Sequence, residues 1–220
     1  MKPPLLVTLH YTHKLSKMQV KKKIIYTNFY IQKKILAFCF QIAYNEMKGG
    51  NSMEQEYTSK DTSINKVNYI FKHYPFPKDS VVLDWGSGKY DACKNAAEAL
   101  GARYLPYDPY NIDEETNKAS LDYAENYGVS YIVCANVLNV IKEDEIIKET
   151  VKKIASLCQP NTQVIVSVYI GDKSEKGCAT TKGWQRNENL YSYYKFFDPY
   201  FNVIYWKNCF ICTLKNKKKG

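Results

Sequence analysis

The chain has 220 residues and a formal net charge of +9, and this length suffices for one α/β domain with its own core. The charge is uneven, because residues 1–52 hold nine lysines and one acid (Glu46), whereas residues 53–220 hold 22 basic and 21 acidic residues. The main body is therefore nearly neutral, and bulk charge gives no support for a nucleic-acid-binding protein.

The seven cysteines are odd in number and irregularly spaced, which is typical of reduced thiols in a cytoplasmic protein. Cys209 and Cys212 form one C-x-x-C within a strand-like run, where positions three apart face opposite sides. With no second pair and no nearby histidine, ordinary packing is favoured and no metal site is predicted.

Residues 1–52 show no sustained period, and their longest uncharged run, 35–45, is too short for a bilayer, which needs about 20 apolar residues. No signal peptide and no membrane span are predicted. We expect a disordered or non-native extension, with the native start at Met47 or Met53. The alternative is a basic arm that touches a membrane surface or nucleic acid.

Residues 53–216 are predicted to form one domain, followed by a basic tail at 217–220. After a polar lead-in with a short helical pattern around Ile70, buried-strand and helix patterns alternate. Strands are predicted at 80–84, 104–108, 131–135, 164–169, 202–206 and 210–214, and helices at 90–102, 113–127, 142–158 and 190–197. The last two strands are close enough to form an antiparallel hairpin, and residues 178–189 are predicted to be irregular.

The stretch that organises the chain is residues 81–88, Val-Val-Leu-Asp-Trp-Gly-Ser-Gly. An acid, Asp84, ends a buried strand, and two glycines lead directly into a helix. Glycine permits a tight turn and close approach of a ligand, and the first amides of a helix favour a polar or anionic group. In doubly wound sheets, a strand followed by an acidic glycine-rich turn and a helix forms the binding site for a nucleoside-type cofactor.

Asp108 lies 24 residues after Asp84, about one strand–helix–strand unit further on. An acid at the end of the second strand reaches the ribose hydroxyls of such a cofactor, since a carboxylate accepts two hydrogen bonds from a diol. The alternative is a solvated turn acid, because Asp-Pro-Tyr-Asn is good turn chemistry.

These features resemble the class I S-adenosylmethionine-dependent methyltransferases over roughly residues 60–215. Asp84-Trp85-Gly86-Ser87-Gly88 is similar to the motif that wraps the methionine part of the cofactor, and Asp108, with Pro109, to the ribose-binding acid. Asn136 and Val137 are similar to the fourth-strand motif beside the transferred methyl group. The resemblance implies S-adenosyl-L-methionine as cofactor and a Rossmann-like, doubly wound, mostly parallel sheet with an antiparallel C-terminal strand.

Two departures accompany the resemblance. Tyr90 replaces the third glycine of the first motif, and the segment from Asp108 to Tyr131 is short. We therefore expect the third strand, with its adenine-side acid, to be missing or degenerate. Six blocks more narrowly resemble a methyltransferase-like group of phages and mobile elements: 62–65, 84–91, 107–111, 135–141, 168–172 and 181–185.

The candidate catalytic residues are Asn136, Asn139 and Asp172, and the candidate substrate residues are Trp184 and Gln185. Each has a structural alternative: helix capping for the asparagines, a turn for Asp172 and core packing for Trp184. All three histidines precede the motif, which disfavours a catalytic role for them.

The residues do not identify the acceptor, and the resemblance to the phage group implies a nucleic acid or a small metabolite. The chain has no Asn-Pro-Pro-Tyr or Asp-Pro-Pro-Tyr, so methylation of DNA bases at amino groups has no motif support. It also has no Pro-Cys pair, which would supply the nucleophile for methylation at cytosine C5. The aromatic residues of 184–206 offer stacking surfaces, although their spacing favours the core for most of them.

A non-catalytic nucleoside-binding module is the alternative. A dinucleotide oxidoreductase is disfavoured, because Asp91 stands at the sixth position of G-x-G-x-x-G.

Overall fold

A computed structural model of the protein describes residues 64–216. The predictions for residues 1–52, for the lead-in up to residue 63 and for the tail 217–220 lie outside this range. None of the helices within residues 64–216 has the length and apolar character needed to cross a membrane.

The elements alternate between helix and strand along most of the chain. The helices are α1 Tyr69–His73, α2 Ala92–Ala99, α3 Glu114–Tyr127, α4 Asp144–Leu157 and α5 Tyr194–Phe197, with 3-10 turns at Leu138–Val140 and Leu190–Tyr193. The strands are β1 Val81–Trp85, β2 Arg103–Tyr107, β3 Tyr131–Ala135, β4 Gln163–Ser167, β5 Cys178–Thr180, β6 Gly183–Gln185, β7 Phe201–Trp206 and β8 Cys209–Leu214.

Six strands form the main sheet, in the order β2-β1-β3-β4-β8-β7. The first four are parallel, and β8 runs antiparallel to both of its neighbours. The chain leaves β1 toward β2 on one side and returns as β3 on the other, so the topological switch lies between β1 and β3. The carboxyl ends of β1 to β4 meet at one edge, where doubly wound sheets bind their ligands.

Between β2 and β3 the chain forms one helix, α3, and β2 is the outermost strand on its side among residues 64–216. The expectation that the third strand is missing is therefore confirmed. The predicted fold class, a Rossmann-like, mostly parallel sheet with an antiparallel C-terminal strand, is also confirmed.

The sheet is covered by apolar residues on both faces, because successive side chains of a strand point to opposite sides. On β1, Leu83 and Trp85 join the larger core under α4 and α5, whereas Val82 joins the core under α1 and α2. Cys212 belongs to the first core and Cys209 to the second, which confirms that they face opposite sides.

Two segments differ from the predictions. Residues 178–189 were expected to be irregular, but they contain the two-stranded β5–β6 hairpin, closed at Thr180 and Gly183. Its strands are largely exposed, so they carry no hydrophobic alternation that a sequence pattern could reveal. The helix expected at 190–197 begins as a 3-10 turn, in which the Asn189 side chain accepts the N–H of Ser192.

Candidate functional site

The glycine-rich turn after β1 has the backbone that its sequence predicts. Gly86 and Gly88 have φ angles of 84° and 69°, a region that favours glycine. The N–H groups of Gly86 and Ser87 donate to the Tyr107 carbonyl, at 2.7 and 3.2 Å, and so tie the turn to the end of β2. A Cβ on Gly86 would lie 2.3 Å from Cγ2 of Val137, so the absence of a side chain is required for packing as well.

Asp84 is almost fully buried, with 2% of its surface exposed. The Tyr104 hydroxyl donates a 2.7 Å hydrogen bond to its Oδ2. Burial raises the pKa of Asp84 to about 7; the bond from Tyr104 opposes this shift, and the charge of Asp108 adds to it. The two carboxylates therefore lie close enough to interact, and Asp84 is poised to respond to a cation at the sheet edge.

Trp85 points to the opposite face of β1 from Asp84. Its indole is 7% exposed and packs in the core, 4.3 Å from the Tyr107 ring between centroids. The side chain therefore supports the turn from below and does not fill the space beside Asp84.

Asp108 joins the two motifs at the carboxyl edge. Its Oδ2 accepts the N–H of Gly88 at 3.0 Å and the amide of Asn111 at 3.1 Å. Its Oδ1 accepts the N–H groups of Tyr110 and Asn111, at 2.9 and 3.1 Å. Asp108 therefore accepts hydrogen bonds within its own turn and also connects the end of β2 to the glycine-rich turn. The neighbouring Pro109 is exposed.

The position of Asp108 depends on Asn117 of α3, which the sequence analysis did not identify. The Asn117 side chain accepts the N–H of Asp108 at 2.8 Å and donates to the carbonyls of Asp108 and Ile112, both at 2.9 Å. No sequence signal marks Asn117, because it is one polar residue in a polar helix.

Asn136 directly follows β3 and has a φ of 60°, which few residues other than glycine adopt. Its N–H donates to the Ser167 carbonyl at 2.9 Å, and its side chain is exposed. Neither Asn136 nor Asn139 caps a helix: the N-cap residues are Val137 for the 3-10 turn at 138–140 and Glu143 for α4, and neither makes a side-chain cap.

Two candidates that are 46 residues apart come together. The Asn139 amide donates to Oε1 of Gln185 at 3.2 Å, and the Gln185 amide donates to the Tyr169 carbonyl at 3.0 Å. Asn139 is 2% exposed, and its Oδ1 has no hydrogen-bond partner within residues 64–216. The pair links the segment after β3 to the β5–β6 hairpin.

The other two candidates lie on the same hairpin region. Trp184 is half-buried, with the Lys142 ammonium 5.0 Å from its ring centroid. Asp172 is exposed, and its Oδ1 accepts the N–H of Ser174 at 2.9 Å, which is the turn role named as its alternative. That hydrogen bonding lowers the pKa of Asp172, so this carboxylate is a weak base.

Arg186, also missed from sequence, anchors the hairpin to α4. Its guanidinium is 2.6 Å from Asp144 and 3.1 Å from Glu188, and it donates to the Lys142 carbonyl at 3.0 Å. Only 7% of the residue is exposed. A buried arginine with these partners holds the segment 168–190 beside the carboxyl edge.

The comparisons with known proteins are remote. No protein-family model matches the chain, and no curated protein matches it significantly. Among solved structures, the PH0226 protein of Pyrococcus horikoshii has a TM-score of 0.47 at 14% identity, covering 66% of this chain and 86% of its own. A TehB-like SAM-dependent methyltransferase of Corynebacterium glutamicum has a TM-score of 0.42 at 14% identity, covering 81% and 97%.

A third similar structure is human N-acetylserotonin methyltransferase in complex with SAM. Its TM-score is 0.46 at 15% identity, and the match covers 68% of this chain and 50% of the human one. Likenesses this remote do not place the chain in a family.

Proposed function

We propose that residues 53–216 form a methyltransferase domain that uses S-adenosyl-L-methionine as its methyl donor. The observation that carries this proposal is the 3.0 Å hydrogen bond between Gly88 and Asp108. It joins the glycine-rich turn after β1 to the acid at the tip of β2, beside the topological switch of the sheet. This contact between the two motifs supports the proposal that they share one cofactor site.

The residues at this edge suit the donor's chemical groups. Asp84 and the turn through Gly88 would hold the methionine part, and Asp108 the ribose. All four acceptor positions of the Asp108 carboxylate are used, so a ribose hydroxyl would replace the side-chain amide of Asn111 and leave the Gly88 bond in place. The Asn111 amide can rotate, so this exchange needs only local movement.

S-adenosyl-L-methionine would supply an electrophilic methyl group on its sulfonium, and a neutral thioether would be the leaving group when an acceptor lone pair takes that methyl. Orientation contributes much of the rate of such a step. Asn136 and Val137 would flank the methyl group, with Asn136 as the candidate that contacts the acceptor. Asn139, Gln185 and Trp184 would shape the acceptor side, and Asp172 is a weaker candidate because it is exposed and occupied in a turn.

Calorimetric titration with S-adenosylmethionine tests the site. Asp108→Ala should weaken binding by about tenfold or more, because the lost hydrogen bonds to ribose are charge-assisted. Asp122→Ala, which removes an exposed carboxylate of α3, is the matched control and should bind as the wild type does. Equal affinity of both variants would contradict the proposed cofactor site.

Proton release gives an independent test. The positive charge of bound S-adenosylmethionine would lie beside Asp84 and favour the charged carboxylate. Binding of S-adenosylmethionine should therefore lower the pKa of Asp84 from about 7 and release a proton. Titrations near pH 6.5 in buffers of different ionisation enthalpy should show this release, and Asp84→Asn should abolish it.

A non-catalytic nucleoside-binding module is the alternative, raised by the sequence because Tyr90 replaces the third glycine and the segment after Asp108 is short. Labelled cofactor incubated with fractionated host lysate separates the two. Uptake of label into any fraction supports the enzyme, whereas cofactor binding without transfer supports the module. The phage or mobile-element origin and the cytoplasmic location are proposed on sequence alone.

A further inference from the structure

A separate concavity opens at the carboxyl edge beyond β4. Its volume is about 190 Å³, and it is lined by Val168, Ile170, Asn189, Leu190, Tyr191, Tyr205 and Asn208. Three segments contribute: the continuation of β4, the 3-10 turn before α5 and the β7–β8 hairpin. Pockets for drug-sized ligands have roughly 300–1,000 Å³, so this one fits a single ring system.

Two tyrosine rings form one wall of this pocket and remain open to solvent. Tyr191 is 67% exposed and Tyr205 is 49% exposed. Their centroids are 5.7 Å apart, with 30° between the ring planes. Buried Phe210 meets both rings edge-on, at 6.3 and 6.2 Å, and fixes their orientation from below. The two rings therefore pack against each other in an offset arrangement, and their exposed faces are available to a flat ligand.

The sequence placed most aromatic residues of this region in the core, and Tyr193, at 0% exposure, follows that expectation. Tyr191, Tyr194 and Tyr205 do not, since they are 67%, 41% and 49% exposed. The adjacent rings of Tyr191 and Tyr205 offer stacking area to a partner with a flat π face.

The rim of the pocket carries amide groups. Asn208 is exposed in the turn between β7 and β8. Asn189 donates to Glu175 at 2.8 Å and its Oδ1 accepts the N–H of Ser192 at 3.3 Å, so both of its polar groups are engaged and Asn208 is the available amide. An asparagine amide offers a donor and an acceptor side by side, which matches the hydrogen-bonding edge of a nucleobase.

One segment of the chain, 167–170, connects the pocket to the candidate methyl-transfer residues. Val168 follows Ser167, whose carbonyl accepts the N–H of Asn136 at 2.9 Å. The next residue, Tyr169, accepts the amide of Gln185 through its carbonyl. The segment 167–170 therefore has the acceptor-side candidates as hydrogen-bond partners and also lines the pocket.

We propose that the Tyr191–Tyr205 pocket binds a nucleobase of the methyl acceptor, stacked on the exposed Tyr191 ring, which Tyr205 supports, with its edge toward Asn208. The identification of the ligand as the methyl acceptor rests on the proposed function, whereas binding of a nucleobase in this pocket does not require that function. The base belongs to a free nucleotide or to a single strand, and the two sources share the same stacking chemistry.

The test titrates the full chain with cytidine, uridine and guanosine monophosphates, and separately with a short single-stranded RNA of mixed sequence. Tyr191→Ala and Tyr205→Ala should each weaken binding about tenfold, the usual effect of removing one stacking ring. Tyr191→Phe should bind like the wild type. Tyr127→Ala removes a tyrosine of α3 that is 75% exposed, and serves as the matched control.

Ring-dependent binding of the monophosphates assigns the pocket to a free nucleotide, and ring-dependent binding of RNA alone assigns it to a strand. Binding that is equal in Tyr191→Ala, Tyr205→Ala and Tyr127→Ala, or no binding of either ligand, overturns the inference. Repeating the titrations in Asp108→Ala protein separates the proposals, because nucleobase binding should persist there while cofactor binding weakens. Normal S-adenosylmethionine binding without nucleobase binding would remove this inference alone.

Discussion

The Tyr104 hydroxyl lies 2.7 Å from Oδ2 of Asp84, so that a side chain of β2 donates to the buried acid of β1. The two residues share the face of the sheet that α1 and α2 cover. Tyr104 supplies a hydrogen bond that the carboxylate would otherwise lack on that side. The pair therefore couples the protonation of Asp84 to the packing of the first two strands.

The first prediction concerns stability against pH. Asp84 ionises near pH 4 when the chain is unfolded but near pH 7 when it is folded, so between these values the folded state holds more protons. The free energy of unfolding should fall across this window as pH rises, by up to about 4 kcal/mol. Urea unfolding between pH 5 and pH 8 measures the slope.

Asp84→Asn should flatten that slope and unfold at higher urea than the wild type at pH 8, because an amide does not ionise and still accepts from Tyr104. Asp91→Asn changes an exposed acid before α2 and is the control, which should keep the wild-type slope. The same slope in both variants would show that Asp84 is not the group responsible.

The second prediction concerns Gly86. An alanine there would have a φ of 84° and a Cβ 2.3 Å from Cγ2 of Val137, so we expect a loss of about 2–4 kcal/mol. Val137→Ala removes the clashing methyl groups and should recover part of this loss in the double variant. Chemical denaturation of the two single variants and the double variant measures the coupling, and purely additive effects would contradict the contact.

The third prediction concerns Asn117. Replacing it with alanine leaves the N–H of Asp108 and two buried carbonyls without their partner, which should cost about 2–4 kcal/mol of stability. Cofactor affinity should fall too, since Asp108 loses its support. Asn126→Ala, on the exposed side of the same helix, is the control and should change stability by less than about 0.5 kcal/mol. Thermal unfolding and calorimetric titration of both variants provide the comparison.

The fourth prediction separates the backbone of Asn136 from its side chain. At a φ of 60°, Asn136→Gly should keep the wild-type stability, whereas Asn136→Ala should lose about 1 kcal/mol. If the amide contacts the acceptor, both variants should lose methyl transfer at least tenfold, and the glycine variant should do so without unfolding. A fully active glycine variant would limit Asn136 to a backbone role.

The six strands of the main sheet, the acidic glycine-rich turn, the missing or degenerate third strand and the antiparallel ending were predictable from the sequence. Each depends on local signals: the buried runs, the glycines at positions that need positive φ, and the short segment between Asp108 and Tyr131. The opposite facing of Cys209 and Cys212 also follows from strand geometry alone.

Only the tertiary structure decided which distant side chains meet. Three hydrogen-bonded pairs connect residues that share no sequence pattern: Asn117 with Asp108, Asn139 with Gln185, and Arg186 with Asp144. The exposure of Tyr191 and Tyr205 was likewise hidden, because spacing does not reveal which aromatic residues find room in a core already occupied by Phe210. Local periodicity reports which face of an element is apolar, whereas the partners across that face are chosen by packing of the whole chain.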